Sequence, residues 1–220
     1  MKGKWHIGLI RVVTQEDPAL RELHGNRIME YFPELEVESR CIPDQPEGIH
    51  SDELKDLAVP KILRLAESFH GKDALIVSCA DDPGVPELQK LLSIPVVGAG
   101  SSTALLARRY GPRAGILGIT DYAPSPYGSM FGEGLINLGR PQGVNSTLDL
   151  MTPEGRAAVE NLALRLKDAG AQSIALACTG MSTIGVAGPL RRLTGLPVVD
   201  PVLAEGLCAL YECLNTAYGK

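Results

Sequence analysis

Two cysteines occupy matching places in this chain. Cys79 closes the apolar run "DALIVSC", and Cys178 closes "SIALAC". Each follows a strand-like stretch and precedes a run of small or capping residues, "ADDPGV" after the first and "TGMST" after the second. Two thiols in equivalent settings can invert a stereocentre beside a carbonyl. One, as thiolate, removes the acidic proton; the other, as thiol, returns a proton to the opposite face. General acid–base catalysis works best when the pKa of the group lies near the working pH, and an unperturbed cysteine at about 8.5 meets that condition without metal or cofactor. Backbone N–H groups at a helix start favour a thiolate and can hold an oxyanion. After Cys79, Asp81 and Asp82 are candidate caps, with Pro83 at a first helical position. If either carboxylate faces the sulfur, like charge leaves Cys79 as the thiol and assigns the thiolate to Cys178.

The elements that must carry these thiols come from an internal repeat. "ALIVSCADDPGVPELQKLLSIPVVGAGSSTALLA" is echoed by "SIALACTGMSTIGVAGPLRRLTGLPVVDPVLAEGLCAL". Both copies hold an apolar strand ending in cysteine, a polar loop, a helix, a Pro-Val-Val strand and a helix rich in small residues. Cys79 precedes Pro95 by 16 positions and Cys178 precedes Pro197 by 19, so three residues are inserted in the second copy.

Around the repeat the same alternation continues. "WHIGLIRVV" reads as a first strand, and "DPALRELHGNRIMEYF" as a helix capped by Asp17 with Pro18 in its first turn. "LEVESRC" reads as a strand, and "SDELKDLAVPKILRLAESF" as a helix capped by Ser51 and kinked at Pro60. "RAGILGIT" is a further strand, and "PEGRAAVENLALRLKDA" a further helix. Residues 121–151, with Pro124, Pro126, Pro141 and several glycines, read as a lid or crossover.

The pattern predicts an α/β protein of two similar lobes, each a mainly parallel sheet flanked by helices and related by a pseudo-twofold axis. The boundaries fall at residues 1–98 plus part of the C-terminal helix for the first lobe and 99–205 for the second. Ligands of open α/β sheets sit outside the carboxyl ends of strands. Equivalent strand ends facing across one cleft would bring both thiols to one substrate. Arg11 and Thr120 end strands on the same side by topology. Arg11 could hold a substrate carboxylate or pair with Glu16 or Asp17.

Composition narrows the function classes. The chain has 220 residues, 45% of them hydrophobic, and a net charge of -5. That suits a folded α/β protein and gives no reason to seek nucleic acid. No run approaches the length needed to span a bilayer, and the basic N-terminus has no cleavage site, so a soluble cytoplasmic protein is expected. Five cysteines without zinc-type spacing are expected to be reduced, with no metal. Cys208 and Cys213 lie among leucines as core residues, and Cys41 has no counterpart in the repeat. His6, His24, His50 and His70 sit beside no motif, which gives no support to a Cys–His pair. "VVGAGSS" lacks the full dinucleotide fingerprint.

"SCADDPGV" with "IPVVGAGSS", and "ACTGM" with "LPVVDPV", resemble the aspartate/glutamate/hydantoin racemase superfamily, within it the hydantoin and allantoin racemase branch. The likeness runs from the first strand to the C-terminal helix. It implies cofactor-independent two-base racemisation of a hydantoin-like small molecule, with Cys79 and Cys178 as the catalytic pair. It further implies substrate contacts from Ala80, Asp81, Thr179, Gly180 and Met181 beside the thiols. Ser101, with Ser102 and Thr103, stands where such proteins often carry Glu-Ala-Ser. "CADD" replaces the Cys-Asn-Thr of glutamate racemases, which disfavours an amino-acid dicarboxylate. A related isomerase or decarboxylase, and a binding protein without turnover, are the rival readings. The expected partners are a small-molecule substrate and further copies of the chain in a homo-oligomer, with no nucleic acid and no membrane.

Overall fold

Strands and helices alternate through the computed structural model, which describes residues 3–218. The first series is β1 (Trp5–Arg11), α1 (Pro18–Tyr31), β2 (Leu35–Cys41), α2 (Asp52–Ala66), β3 (Ala74–Ser78), α3 (Val85–Leu91) and β4 (Val96–Gly98), leading into α4 (Ala99–Arg108). The second is β5 (Ala114–Gly118), α5 (Ser125–Phe131), β6 (Leu135–Asn137), α6 (Pro153–Asp168), β7 (Ser173–Ala177), α7 (Thr179–Thr183), α8 (Ala187–Thr194) and β8 (Val198–Val199). Helix α9 (Pro201–Tyr218) follows.

The strands form two four-stranded sheets, ordered β2-β1-β3-β4 and β6-β5-β7-β8, with every neighbouring pair parallel. The two orders are the same order. The chain divides into two compact units: the part up to Ala99 together with the segment from Val202, and the part from Gly100 to Pro201.

In the first unit β3 lies between β1 and β4, and all five of its residues are buried. A parallel strand covered on both faces needs apolar side chains on both, which is why "ALIVS" lacks a polar alternation. Its side chains nevertheless part by period two. Leu75 and Val77 join Ile10 and Val96 in a core with Ala58 and Ile62 of α2 and Val85 and Leu88 of α3. Ala74 and Ile76 join Ile7, Leu9 and Val97 in a second core with Ile28 of α1 and Val202, Ala209 and Cys213 of α9. In the second unit Leu117, Ile174, Leu176 and Val198 pack on Val159, Leu162, Ala163 and Leu166 of α6 and Leu190 of α8.

Local chemistry sets the helix starts. Asp17 accepts a hydrogen bond from Ala19 N at the head of α1, Ser51 from Leu54 N at α2, and Thr152 from Gly155 N at α6. Three expectations need correction. Residues 121–151 contain α5, two short 3-10 turns and β6, a true member of the second sheet. Asp81 and Asp82 do not cap α3: its N-cap is Gly84, in the left-handed region at φ 74°, and no side chain bonds the cap. The run after Cys178 is itself helical as α7, before Ala187 begins α8. Among the described residues no helix is long and apolar enough to cross a membrane.

Candidate active site

Strand register puts the two thiols in equivalent positions within their own units. Arg11 of β1 pairs with Ser78 of β3, and Gly118 of β5 pairs with Ala177 of β7. Cys79 and Cys178 are the next residues, each just past the carboxyl end of the inner strand of its sheet. Both are reduced and buried, at 8% and 6% exposure.

In the first unit a tight turn holds Cys79. Its N–H donates to Val77 O at 2.9 Å, and its carbonyl accepts from Asp82 N at 3.2 Å. Asp82 adopts φ 49°, a left-handed conformation that aspartate tolerates better than most side chains. Its carboxyl group presses on Gly98, so closely that a Cβ there would run into it. Asp81 is turned elsewhere: Lys55 Nζ of α2 lies 2.9 Å from its Oδ2. Ala80 is buried beside it at 4% exposure.

Arg11 is also buried, and the expected pairing with Glu16 or Asp17 is not what it makes. Its Nη1 donates to Leu20 O at 2.5 Å and Arg21 O at 3.3 Å, both in α1, instead of meeting Glu16 or Asp17. Burial lowers its pKa from the ordinary value, opposed by the attraction of Cys41, Glu205 and Glu22. Behind the Cys79 turn lies a polar chain that sequence reasoning missed. His24 Nδ1 is 2.9 Å from Ser78 Oγ, and Ser78 Oγ donates to Glu205 Oε1 at 2.7 Å. Burial, reinforced by Arg11 and Arg27, holds the His24 pKa well below the usual value, so the imidazole is neutral.

In the second unit Cys178 is the N-cap residue of α7. Burial pushes its thiol up to about 11, against the opposing pull of the Gly180 and Met181 backbone N–H groups. The expectation of a resting thiolate at Cys178 is therefore corrected, because desolvation outweighs two backbone donors on a five-residue helix. Thr179 and Gly180 are half-buried, and the Met181 side chain lies wholly in the core, leaving its amide as the group at the sulfur. Thr120 is half-buried and donates to Tyr122 O at 2.7 Å. Ser101 is exposed on α4.

Sequence reasoning also missed Thr147 and Leu150. A Cβ on Gly180 would meet Cys178 Sγ at 3.3 Å, Leu150 Cδ1 at 3.3 Å and Thr147 Cγ2 at 3.4 Å. This loop, between β6 and α6, thus forms part of the Cys178 surroundings. Its Asn145-Ser146 turn is fixed by Asp149, whose Oδ2 accepts from both backbone amides at 2.8 and 2.9 Å. Among the described residues no three His, Cys, Asp or Glu side chains are grouped to hold a metal ion.

Only the thiolate alkylates readily, so the raised Cys178 pKa has a direct readout. At pH 8, iodoacetamide is expected to modify Cys178 slowly. Its rate, followed by peptide mass spectrometry, should climb about tenfold per pH unit until the pH nears the thiol's pKa of about 11.

Two like-ordered parallel sheets, with a thiol just past an inner strand of each, make a fold that solved racemase structures share. The allantoin racemase of Pseudomonas fluorescens matches with a TM-score of 0.80 at 21% identity, covering 96% of this chain and 92% of that one. Allantoin racemase from Klebsiella pneumoniae matches at 0.77 and 23%, covering 98% and 89%. In sequence, the hydantoin racemase of Paenarthrobacter aurescens is 28% identical over 174 residues, 76% of this chain and 72% of the relative. The sequence profile of the Asp/Glu/Hydantoin racemase family matches residues 20–205, and the chain belongs to that family.

Proposed function

We propose that the protein racemises a hydantoin-like small molecule by 1,1-proton transfer at the stereocentre beside a ring carbonyl, with Cys79 and Cys178 as the two acid–base groups. The observation that carries this reading is the register equivalence of the thiols, one per unit, each just past the same inner strand. Packing alone has no need of two such equivalents. The names of the hydantoin and allantoin racemases above support the substrate class.

In one direction the Cys79 thiolate takes the proton, the C–H electron pair moves into the carbonyl as an enolate, and Cys178 S–H gives its proton to the opposite face. The sulfurs end with exchanged protonation states, and proton exchange with solvent resets them. The buried, protonated state of Cys178 suits the donor role at rest. In the opposite direction Cys178 must first lose its proton. Backbone amides of Gly180 and Met181 already favour negative charge at that sulfur and would hold its thiolate while it waits.

The test is loss of optical rotation with single enantiomers of substituted hydantoins, allantoin and amino acids in deuterium oxide. Racemisation with deuterium entering the ring stereocentre of a hydantoin or of allantoin is the expected result. Turnover confined to amino acids would overturn the substrate class, and no deuterium incorporation with any of them would overturn the reaction.

A further inference from the structure

The chain His24–Ser78–Glu205 is buried at 1%, 1% and 0% exposure, and the two-thiol mechanism does not use it. Its bonds join three elements remote in sequence: α1, the end of β3, and α9. Ser78 has one hydroxyl proton, and it goes to Glu205 Oε1. Ser78 Oγ must then accept from His24, which assigns the neutral imidazole its proton on Nδ1.

The fold does not require this polar chain. By register the counterpart of Ser78 in the second unit is Ala177, and that of Arg11 is Gly118, so the same strand end is built there with apolar residues. Burying a carboxyl group is costly unless its bonds are met, and an apolar replacement is often as stable. The second unit has a buried acid of its own, Asp200, which accepts from Ser182 Oγ of α7 at 2.8 Å, but the residue before its thiol is Ala177, so a grip on the residue next to the sulfur is built at Cys79 and not at Cys178.

We propose that Glu205 is a positioning residue that acts through Ser78 on Cys79. Ser78 is the residue before the reacting sulfur, and its hydroxyl is gripped from α9 by Glu205 and from α1 by His24. With the Cys79 N–H on Val77 O and its carbonyl on Asp82 N, this clamp fixes the backbone from which Sγ projects. Displacement of a reacting group by about 1 Å can cost on the order of a hundredfold in rate. The inference rests on the reading of Cys79 as a catalytic thiol.

The experiment compares Ser78→Ala, Glu205→Leu, Glu205→Gln and Cys79→Ser as full-length proteins, with kcat and KM for racemisation, thermal midpoint, and alkylation rates of Cys79 and Cys178. Ser78→Ala and Glu205→Leu are expected to lower kcat about ten- to a hundredfold, with KM held within about twofold. Glu205→Gln keeps an acceptor for Ser78 and should recover most of kcat. Alkylation should change at Cys79 and stay within about twofold at Cys178, a selectivity that general loss of stability does not produce. Unchanged kcat in folded Ser78→Ala overturns the inference, as does a Glu205→Gln loss equal to that of Glu205→Leu. Should Glu205→Leu fail to fold, Ser78→Ala and Glu205→Gln decide. If Cys79→Ser is inactive while Ser78→Ala is not, the positioning role alone fails. If Cys79→Ser still racemises, both readings fail.

Discussion

Replacing either Cys79 or Cys178 with serine is expected to abolish racemisation, while each variant should still exchange the substrate proton of one enantiomer with solvent deuterium. The expectation follows from dividing the reaction between two thiols. A serine hydroxyl cannot supply the base or acid near neutral pH, so the proton on its own side stays out of reach. The surviving thiol can still remove and return the proton on its face. The two variants should therefore exchange opposite enantiomers. The Cys79→Ser protein carries a further signature, because its base is Cys178. With that thiol pushed up to about 11, kcat/KM for exchange should rise about tenfold per pH unit through pH 8 to 10 and level near the pKa. Chiral chromatography and mass spectrometry read both quantities. Full racemase activity in either variant rules out the two-base scheme.

Gly98→Ala should impair the enzyme nearly as much from outside the pair. Gly98 ends β4, opposite Val77 of β3, and the Asp82 carboxyl group occupies the space a methyl would take. Asp82 has little freedom to retreat. It already adopts φ 49°, its N–H closes the turn on Cys79 O, and its carbonyl accepts from Val85 N at 3.2 Å as α3 begins. The added methyl must displace the very turn that carries Cys79. A loss of about 1–3 kcal/mol in stability and on the order of a hundredfold in kcat is expected, measured by urea unfolding and by racemisation. Gly128→Ala is the matched control. That glycine lies in α5 with nothing within 4 Å of its missing Cβ, so alanine should be neutral or stabilise by about 0.5–1 kcal/mol. Wild-type behaviour of Gly98→Ala would remove Asp82 from any part in shaping the turn.

Much of the fold was legible because its signals are local. The buried inner strands, the Asp17 and Ser51 caps and the two Pro-Val-Val strands announce themselves within a few residues. The repeat also made the equivalence of Cys79 and Cys178 legible. What escaped depends on contacts between distant segments. Strand β6 is three half-buried residues, "LIN", at the edge of its sheet, too short for any period to show. Asp82 has the composition of a helix cap, but its left-handed backbone and its contact with Gly98 take it elsewhere. The Cys178 thiol looked activated by a helix start, yet desolvation is a property of the packed core and wins. Ser78 and Glu205 are 127 residues apart, and no pattern links them before folding.

That separation also bears on synthesis. The first unit is interrupted by the whole of Gly100–Pro201 and regains its last helix only from Val202 onward. Until then Ile7, Leu9, Ile28 and Ile76 lack the covering residues Val202, Ala209 and Cys213. The second unit is continuous, so on a ribosome it can be complete while the earlier-made part still waits. At about 5–20 residues per second, translating the interruption takes on the order of 5–20 seconds. The nascent N-terminal half is therefore the aggregation-exposed part, and the stretch from Val202 onward both closes its core and delivers Glu205 to Ser78.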